Sequence, residues 1–183
     1  MTRYDVETEI AKRLGDPANS AFADRIWGYF IEAMYAITQS LSEIEAVNIS
    51  TKATGTVSTN VVGNATITDP TQMKWVAVTG VTIAGLPARK IDDKEYAMIK
   101  SNSFYAPTGS ESYYYYNGNT LTILSGLVST QLTYEISYVS DMHELLGDIE
   151  IDNYVNLPIP NTMIYRAMPD AITRIKQELG MML

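Results

Sequence analysis

Three groups of side chains in this 183-residue chain could in principle do chemistry. The single histidine, His143, follows Asp141 by two positions and directly precedes Glu144. A histidine beside carboxylates has the make-up of a general base or of part of a metal site, but one histidine in a loop after a strand is expected to be a surface residue. Asp148, Glu150 and Asp152 are spaced like the opening of a calcium loop. Apolar Ile149 and Ile151 fill the intervening positions, no glycine makes the sharp turn and no glutamate closes the site, so an extended segment of solvated acids is expected. Asp148 and Glu150 with Glu135 would also be the carboxylates of an acid-using hydrolase. Asp92-Asp93 stands directly before a helical pattern, where capping is its expected role. The chain contains no cysteine, which excludes thiol nucleophiles, disulfides and Cys-ligated metal. It also has no phosphate loop, dinucleotide fingerprint, nucleophile elbow or zinc-protease motif. No catalytic residue, metal or cofactor is expected, and the chain does not read as an enzyme.

The third group is aromatic. Thirteen Tyr stand against three Phe, and Tyr suits half-wet contacts in which the ring is buried and the hydroxyl finds a partner. In the run Tyr113, Tyr114, Tyr115 and Tyr116 both faces of one strand carry Tyr, so one pair must leave the core of its own sheet, and an interface with other proteins is expected there. The same run with Trp75 and Tyr105 could instead form an aromatic platform for sugar rings, which makes a carbohydrate-binding module the alternative reading.

The elements that must position these residues follow from periodicity. Val6, Ile10 and Leu14 recur every four residues before Gly15, a short amphipathic helix with its stop. Asp16-Pro17 is a start signal, and Phe22, Ile26, Phe30, Ala33, Met34, Ile37, Leu41 and Ile44 trace a helical stripe to Val47. One helix of about 28 residues and about 40 Å is expected there. Leu132, Tyr134, Ile136 and Tyr138 alternate with polar residues as in a half-buried strand. Asn117-Gly118 in YYYYNGNTLTIL marks a hairpin from Tyr113 to Leu124, and Gly63-Asn64 marks a second within 54–67. Trp75 to Leu86 reads as a hairpin or bent strand, and Asp92 to Ser101 as a short helix. LPIP, Leu157 to Pro160, is held extended by its prolines. Ile164, Met168, Ile172, Ile175 and Leu179 then resume helical spacing, with Pro169 expected to kink that helix or begin its second half.

Composition divides the chain in three. Residues 49–140 hold 24 Ser plus Thr, against 8 in the rest, and balance six acids with six bases. Residues 1–48 carry eight acids to four bases and residues 141–183 seven to three, so the whole net charge of −8 lies on the flanks. The expected class is α+β, a helical bundle formed by the N- and C-terminal helices (1–48 and 141–183) with an inserted antiparallel β-rich domain (49–140). A pI near 4.6 argues against a protein that grips nucleic-acid phosphates. No apolar run approaches the roughly 18 residues of a membrane span and the first ten residues carry acids, so no membrane partner and synthesis in a cytoplasm are expected.

Three segments in a fixed order add a resemblance: ARKIDDKEYAMIKSNSFYAPT (Ala88 to Thr108), then YYYYNGNTLTIL, then NLPIPNTMIYRAMPDAITRIKQELGM (Asn156 to Met181). In these, and in its order of elements, the chain resembles the head-to-tail connector (adaptor) proteins of tailed bacteriophages, the tail tubular protein A-like adaptors and the ring proteins of crAss-like phages. The resemblance implies a structural virion protein at the head-tail junction, made in the bacterial host. It would form a homo-oligomeric ring of twelve copies, bind the portal protein on one side and the next tail or neck ring on the other, and line the channel through which DNA is ejected without sequence-specific binding. In such adaptors a terminal segment threads into the portal, a role that Leu179, Met181, Met182 and Leu183 would take here.

Overall fold

The computed structural model describes residues 1–15, 23–68, 75–117, 120–147 and 156–180. Its class is mixed α+β, and its residues divide into two compact units, Met1–Ser42 with Asp141–Leu183, and Glu43–Ser140.

In the first unit, α1 (Arg3–Arg13) begins on a capping box: Thr2 accepts from the Asp5 amide and Asp5 accepts from the Thr2 amide. The Asp5 carboxyl lies below its usual range, chiefly because of that backbone hydrogen bond from Thr2. The chain start is tied to residues 156–161: the Met1 ammonium donates to Asn161, the Leu157 amide donates to the Met1 carbonyl, and Thr2 bridges Asn156. Leu157 and Ile159, the apolar members of LPIP, are buried. α2 (Ala23–Gln39) buries Ile26, Trp27, Phe30, Ile31, Ala33 and Met34, and packs against α5 (Met142–Gly147) and α6 (Asn161–Glu178). α6 runs through Pro169 and buries Met163, Ile164, Ala167, Met168, Ala171 and Ile175.

The expected 28-residue helix is not one helix. α2 ends at Gln39, where the Ser40 hydroxyl donates to the Ile37 carbonyl and offers the backbone an alternative to continuing. α3 (Glu43–Ile49) starts afresh and packs on strands β3 (Trp75–Ile83) and β8 (Gln131–Ser140) of the second unit, to which it belongs. Ile44, placed by periodicity on the buried stripe, is 77% exposed.

The second unit holds two sheets. One has the order β1 (Thr51–Ser58), β8 (Gln131–Ser140), β3 (Trp75–Ile83), β4 (Leu86–Pro87), all antiparallel. The other has β2 (Asn64–Thr68), β7 (Thr120–Ser125), β6 (Ser112–Asn117) and β5 (Arg89–Lys90), with only the two-residue β5 parallel to its neighbour. Both contribute to one apolar cluster that includes Ile67, Trp75, Val81, Tyr114, Leu121, Ile123, Leu132, Tyr134 and Ile136. Burying each such side chain contributes about 1.5–3 kcal/mol, which makes this cluster the main support of the unit.

Alternation in β8 and the β6–β7 hairpin are as expected, with Tyr113 opposite Leu124 and Asn117 opposite Thr120. Gly118 and Asn119 between them lie outside the described residues. β3 is both bent and part of a hairpin: its register shifts twice against β8, and Ala84 and Gly85, both at positive φ, turn it into β4. The hairpin expected within 54–67 does not form. The chain turns at Asn60–Asn64, where the Gly63 amide donates to the Asn60 carbonyl and the Asn60 amide to the Asn64 carbonyl, but β1 pairs with β8 and β2 with β7, so the two arms of the turn enter different sheets. Thr59 is held by the connection after β7, and the Asn60 carbonyl also accepts from the Ser129 amide of that connection, a link that leads the strand away from β1.

Candidate functional site

The tyrosine run is split by the pleat of β6. Tyr114 is buried in the inter-sheet cluster and Tyr116 packs against it, its hydroxyl donating to the Trp75 carbonyl. Burial raises the Tyr114 phenol above its usual value. Tyr113 and Tyr115 point to the opposite face, where α4 (Asp93–Ser101) covers part of them. Tyr115 stacks on Tyr96 with ring centres 4.3 Å apart and planes 5° from parallel, and its hydroxyl is held above the usual value mainly by hydrogen bonding to Asp93. The Arg89 guanidinium sits 4.5 Å over the Tyr113 ring and binds Glu95 at 2.7 Å, the contact that raises its own pKa most. Thus the pair that leaves the core is half-buried against its own chain. α4 starts where it does because Asp92 caps the Glu95 amide at 2.7 Å and Glu95 reaches back to the Asp92 amide.

Beside this face, the end of α4, the 3-10 turn Ser103–Tyr105 and the start of β6 enclose a cleft of about 390 Å³. Met98, Phe104, Tyr105 and Tyr113 supply its apolar surface, and Arg89, Glu95 and Glu111 its charge. Phe104 is 87% exposed and meets Tyr105 edge to face. Glu111 accepts from the Thr108 amide and, at 3.5 Å, from the Tyr113 hydroxyl.

A second surface lies next to the cleft. Residues 59–63 and 125–130 are laced together: the Ser129 amide donates to the Asn60 carbonyl, the Ser125 amide to Gly63, and the Thr59 hydroxyl to Leu127. The Asn60 side chain also accepts from the Val62 and Asn64 amides. These ordered loops carry Val61 (80% exposed), Val62 (63%), Leu127 and Val128 outward. No charged residue occurs in 53–68 or in 112–134. Gly126 lies against Thr108 and Gly109, and its amide donates to the Glu111 carbonyl, so the base of this tip adjoins Thr108 and Glu111 of the cleft lining.

The other expected site residues are dispersed or not described. Trp75 is buried in the cluster, with its Nε1 lacking a partner among the described residues, and so cannot join Tyr105 in an exposed platform. Leu179 is exposed at the end of α6, while Met181, Met182 and Leu183 lie outside the described residues. Asp148, Glu150 and Asp152 lie outside them as well. Glu135, on β8, pairs with Lys52 at 2.7 Å. His143 is exposed on α5 with its ring 4.7 Å from that of Tyr35, and its backbone amide caps onto Asp141. Among the described residues no group of three His, Asp or Glu is placed to hold a metal ion, and no helix is long and apolar enough to cross a membrane.

Sequence reasoning did not find Met98, Phe104 and Glu111 or the Val61–Val62 tip. The signal for the tip was present as a long charge-free stretch, and for Phe104 as an aromatic standing just beyond the end of a helical pattern. No protein-family model matches the chain, and no curated protein matches it in sequence.

Proposed function

We propose that this chain is a structural head-to-tail connector of a tailed bacteriophage, a ring protein that joins the portal to the next tail or neck layer and lines the path of the ejected DNA. The observation that carries the reading is the resemblance of three segments in a fixed order to the tail tubular protein A-like adaptors. They correspond to α4 with the turn after it, the β6–β7 hairpin, and α6 with its extended leader. In this reading the terminal helices form a bundle and the β-rich part is its insertion. Supporting it, the chain's net negative charge lies wholly on residues 1–48 and 141–183. Twelve copies at −8 each would carry about −96, and an acidic channel repels phosphates so that DNA slides. Leu179 with residues 181–183 would thread into the portal, and Tyr113 to Tyr116 would lie near a protein interface.

The test is negative-stain imaging and light-scattering mass of the purified protein, alone and with the portal encoded by the same genome. Rings appearing with the portal are the expected result; a chain that ignores the portal at micromolar concentration overturns the reading. The alternative, a carbohydrate-binding module, is favoured only by the exposed pair Phe104 and Tyr105. Binding on a glycan array, lost on Tyr105→Ala, would establish it.

A further inference from the structure

The apolar tip and the aromatic cleft lie side by side at one end of the β-rich unit, and a knob next to its own cleft is self-complementary under a two-fold rotation. We propose that two copies of this chain associate about a two-fold axis, with Val61, Val62 and Val128 of each seated in the Met98–Phe104–Tyr105 cleft of the other. This concerns the protein by itself and does not rest on the connector reading.

Charge does not oppose a second copy at this face. Each chain carries −8, so most ways of bringing two copies together set like charges against each other, whereas the tip has no charge to repel or to be stripped of water. The charged groups of the cleft are already engaged, Arg89 with Glu95 and Glu111 with Thr108 and Tyr113, so an uncharged knob enters without orphaning any of them. Area points the same way. The four aliphatic side chains of the tip fall well short of the roughly 800 Å² per partner of a specific interface, but a reciprocal contact adds the exposed Phe104 (87%), Tyr105 (48%) and Met98 (40%) on each side and so enlarges it. The hydrogen bonds that lace residues 59–63 to 125–130 hold the knob in place beforehand, which lowers the ordering cost of binding. A lipid surface fits less well, because neither loop offers a Lys or Arg to anionic headgroups and the chain as a whole is acidic.

The absence of cysteine makes the test direct. Val62→Cys and Phe104→Cys chains are mixed in equal amounts and oxidised, and the disulfide-linked species are identified by mass spectrometry. In parallel, light scattering gives the mass of the unmodified protein, of Val62→Asp and of Phe104→Ala, and flotation with phosphatidylcholine vesicles reads lipid binding. The proposal expects a mass of twice 20.3 kDa and a disulfide that joins the Val62→Cys chain to the Phe104→Cys chain in excess over the link of either variant to itself. It also expects the dissociation constant to rise at least about tenfold, to micromolar or beyond, on Val62→Asp or Phe104→Ala. Both positions are exposed, and an unchanged circular dichroism spectrum certifies that the variants fold. A single-chain mass, a mass above two chains, a disulfide only between two Val62→Cys chains, or vesicle flotation that Val62→Asp abolishes each overturns it. A ring that forms with the portal from a single-chain precursor would sink this inference while leaving the connector reading intact.

Discussion

At Gly63 the backbone has a φ of +75°, and a Cβ there would stand 2.0 Å from the Ser125 carbonyl oxygen. Left-handed backbone without glycine costs on the order of 1–3 kcal/mol, and the contact with Ser125 would part the two loops besides. Gly63→Ala is therefore expected to destabilise the protein by at least about 2 kcal/mol in urea unfolding, and to release Val61 and Val62 from their fixed position. Asn60 is the other pin of this corner; Asn60→Ala, which leaves the Val62 and Asn64 amides without their acceptor, is expected to cost about 1–2 kcal/mol in the same assay. Tyr114 contributes to the response to alkali. Burial favours its protonated form and raises its pKa above the ordinary value of about 10, so its contribution is complete below that value and is lost as pH rises through the higher folded one. Tyr114→Phe should flatten the fall in unfolding midpoint above about pH 10, read against a parallel absorbance titration of the phenols.

Helix starts decide the placement of two elements. α4 begins on the Asp92–Glu95 capping box, and the same Glu95 holds Arg89 over Tyr113, so one cap organises the outer tyrosine face. Asp92→Ala should cost about 1 kcal/mol and loosen the Tyr96–Tyr115 stack, which near-ultraviolet circular dichroism would register. The capping box of α1 is titratable. Asp5 has a folded pKa below its unfolded value, so its support is present above about pH 4 and is lost as pH falls through the lower folded value. Asp5→Asn is expected to remove that part of the acid sensitivity, seen as a smaller drop in thermal midpoint between neutral pH and about pH 3. Helix and strand patterns of this kind were legible in the residues themselves: α1, α4, β8, the β6–β7 hairpin and α6 stand where apolar spacing and caps put them. Where chain-local signals failed, the deciding partners were distant in sequence or lay just outside the pattern. Asn60 and Gly63 make a turn as their types suggest, but residues 125–130 bond to both and part its arms into different sheets, and Ile44 continues a helical stripe until Ser40 ends the helix before it.

For the molecule as a whole, electrostatics gives the plainest expectation: at −8 per chain, the purified protein should leave the mobility of double-stranded DNA unchanged even at low salt, whatever its oligomeric state. Retardation of the DNA would rule out a channel along which it slides. The sequence by itself determined the α+β class, the lack of cysteine chemistry, the imbalance of charge between flanks and middle, and the split of the tyrosine run between two faces of one strand. Those properties depend on composition and on spacings of two to four residues, which every conformation of the chain carries. Only the tertiary structure decided that β1 and β2 belong to different sheets, that Trp75 is in the core, that α4 covers the outer tyrosines, and that an uncharged apolar tip stands beside an aromatic cleft. Each of these depends on which residues meet across tens of positions of chain, and strand pairing and packing, not local preference, select those meetings.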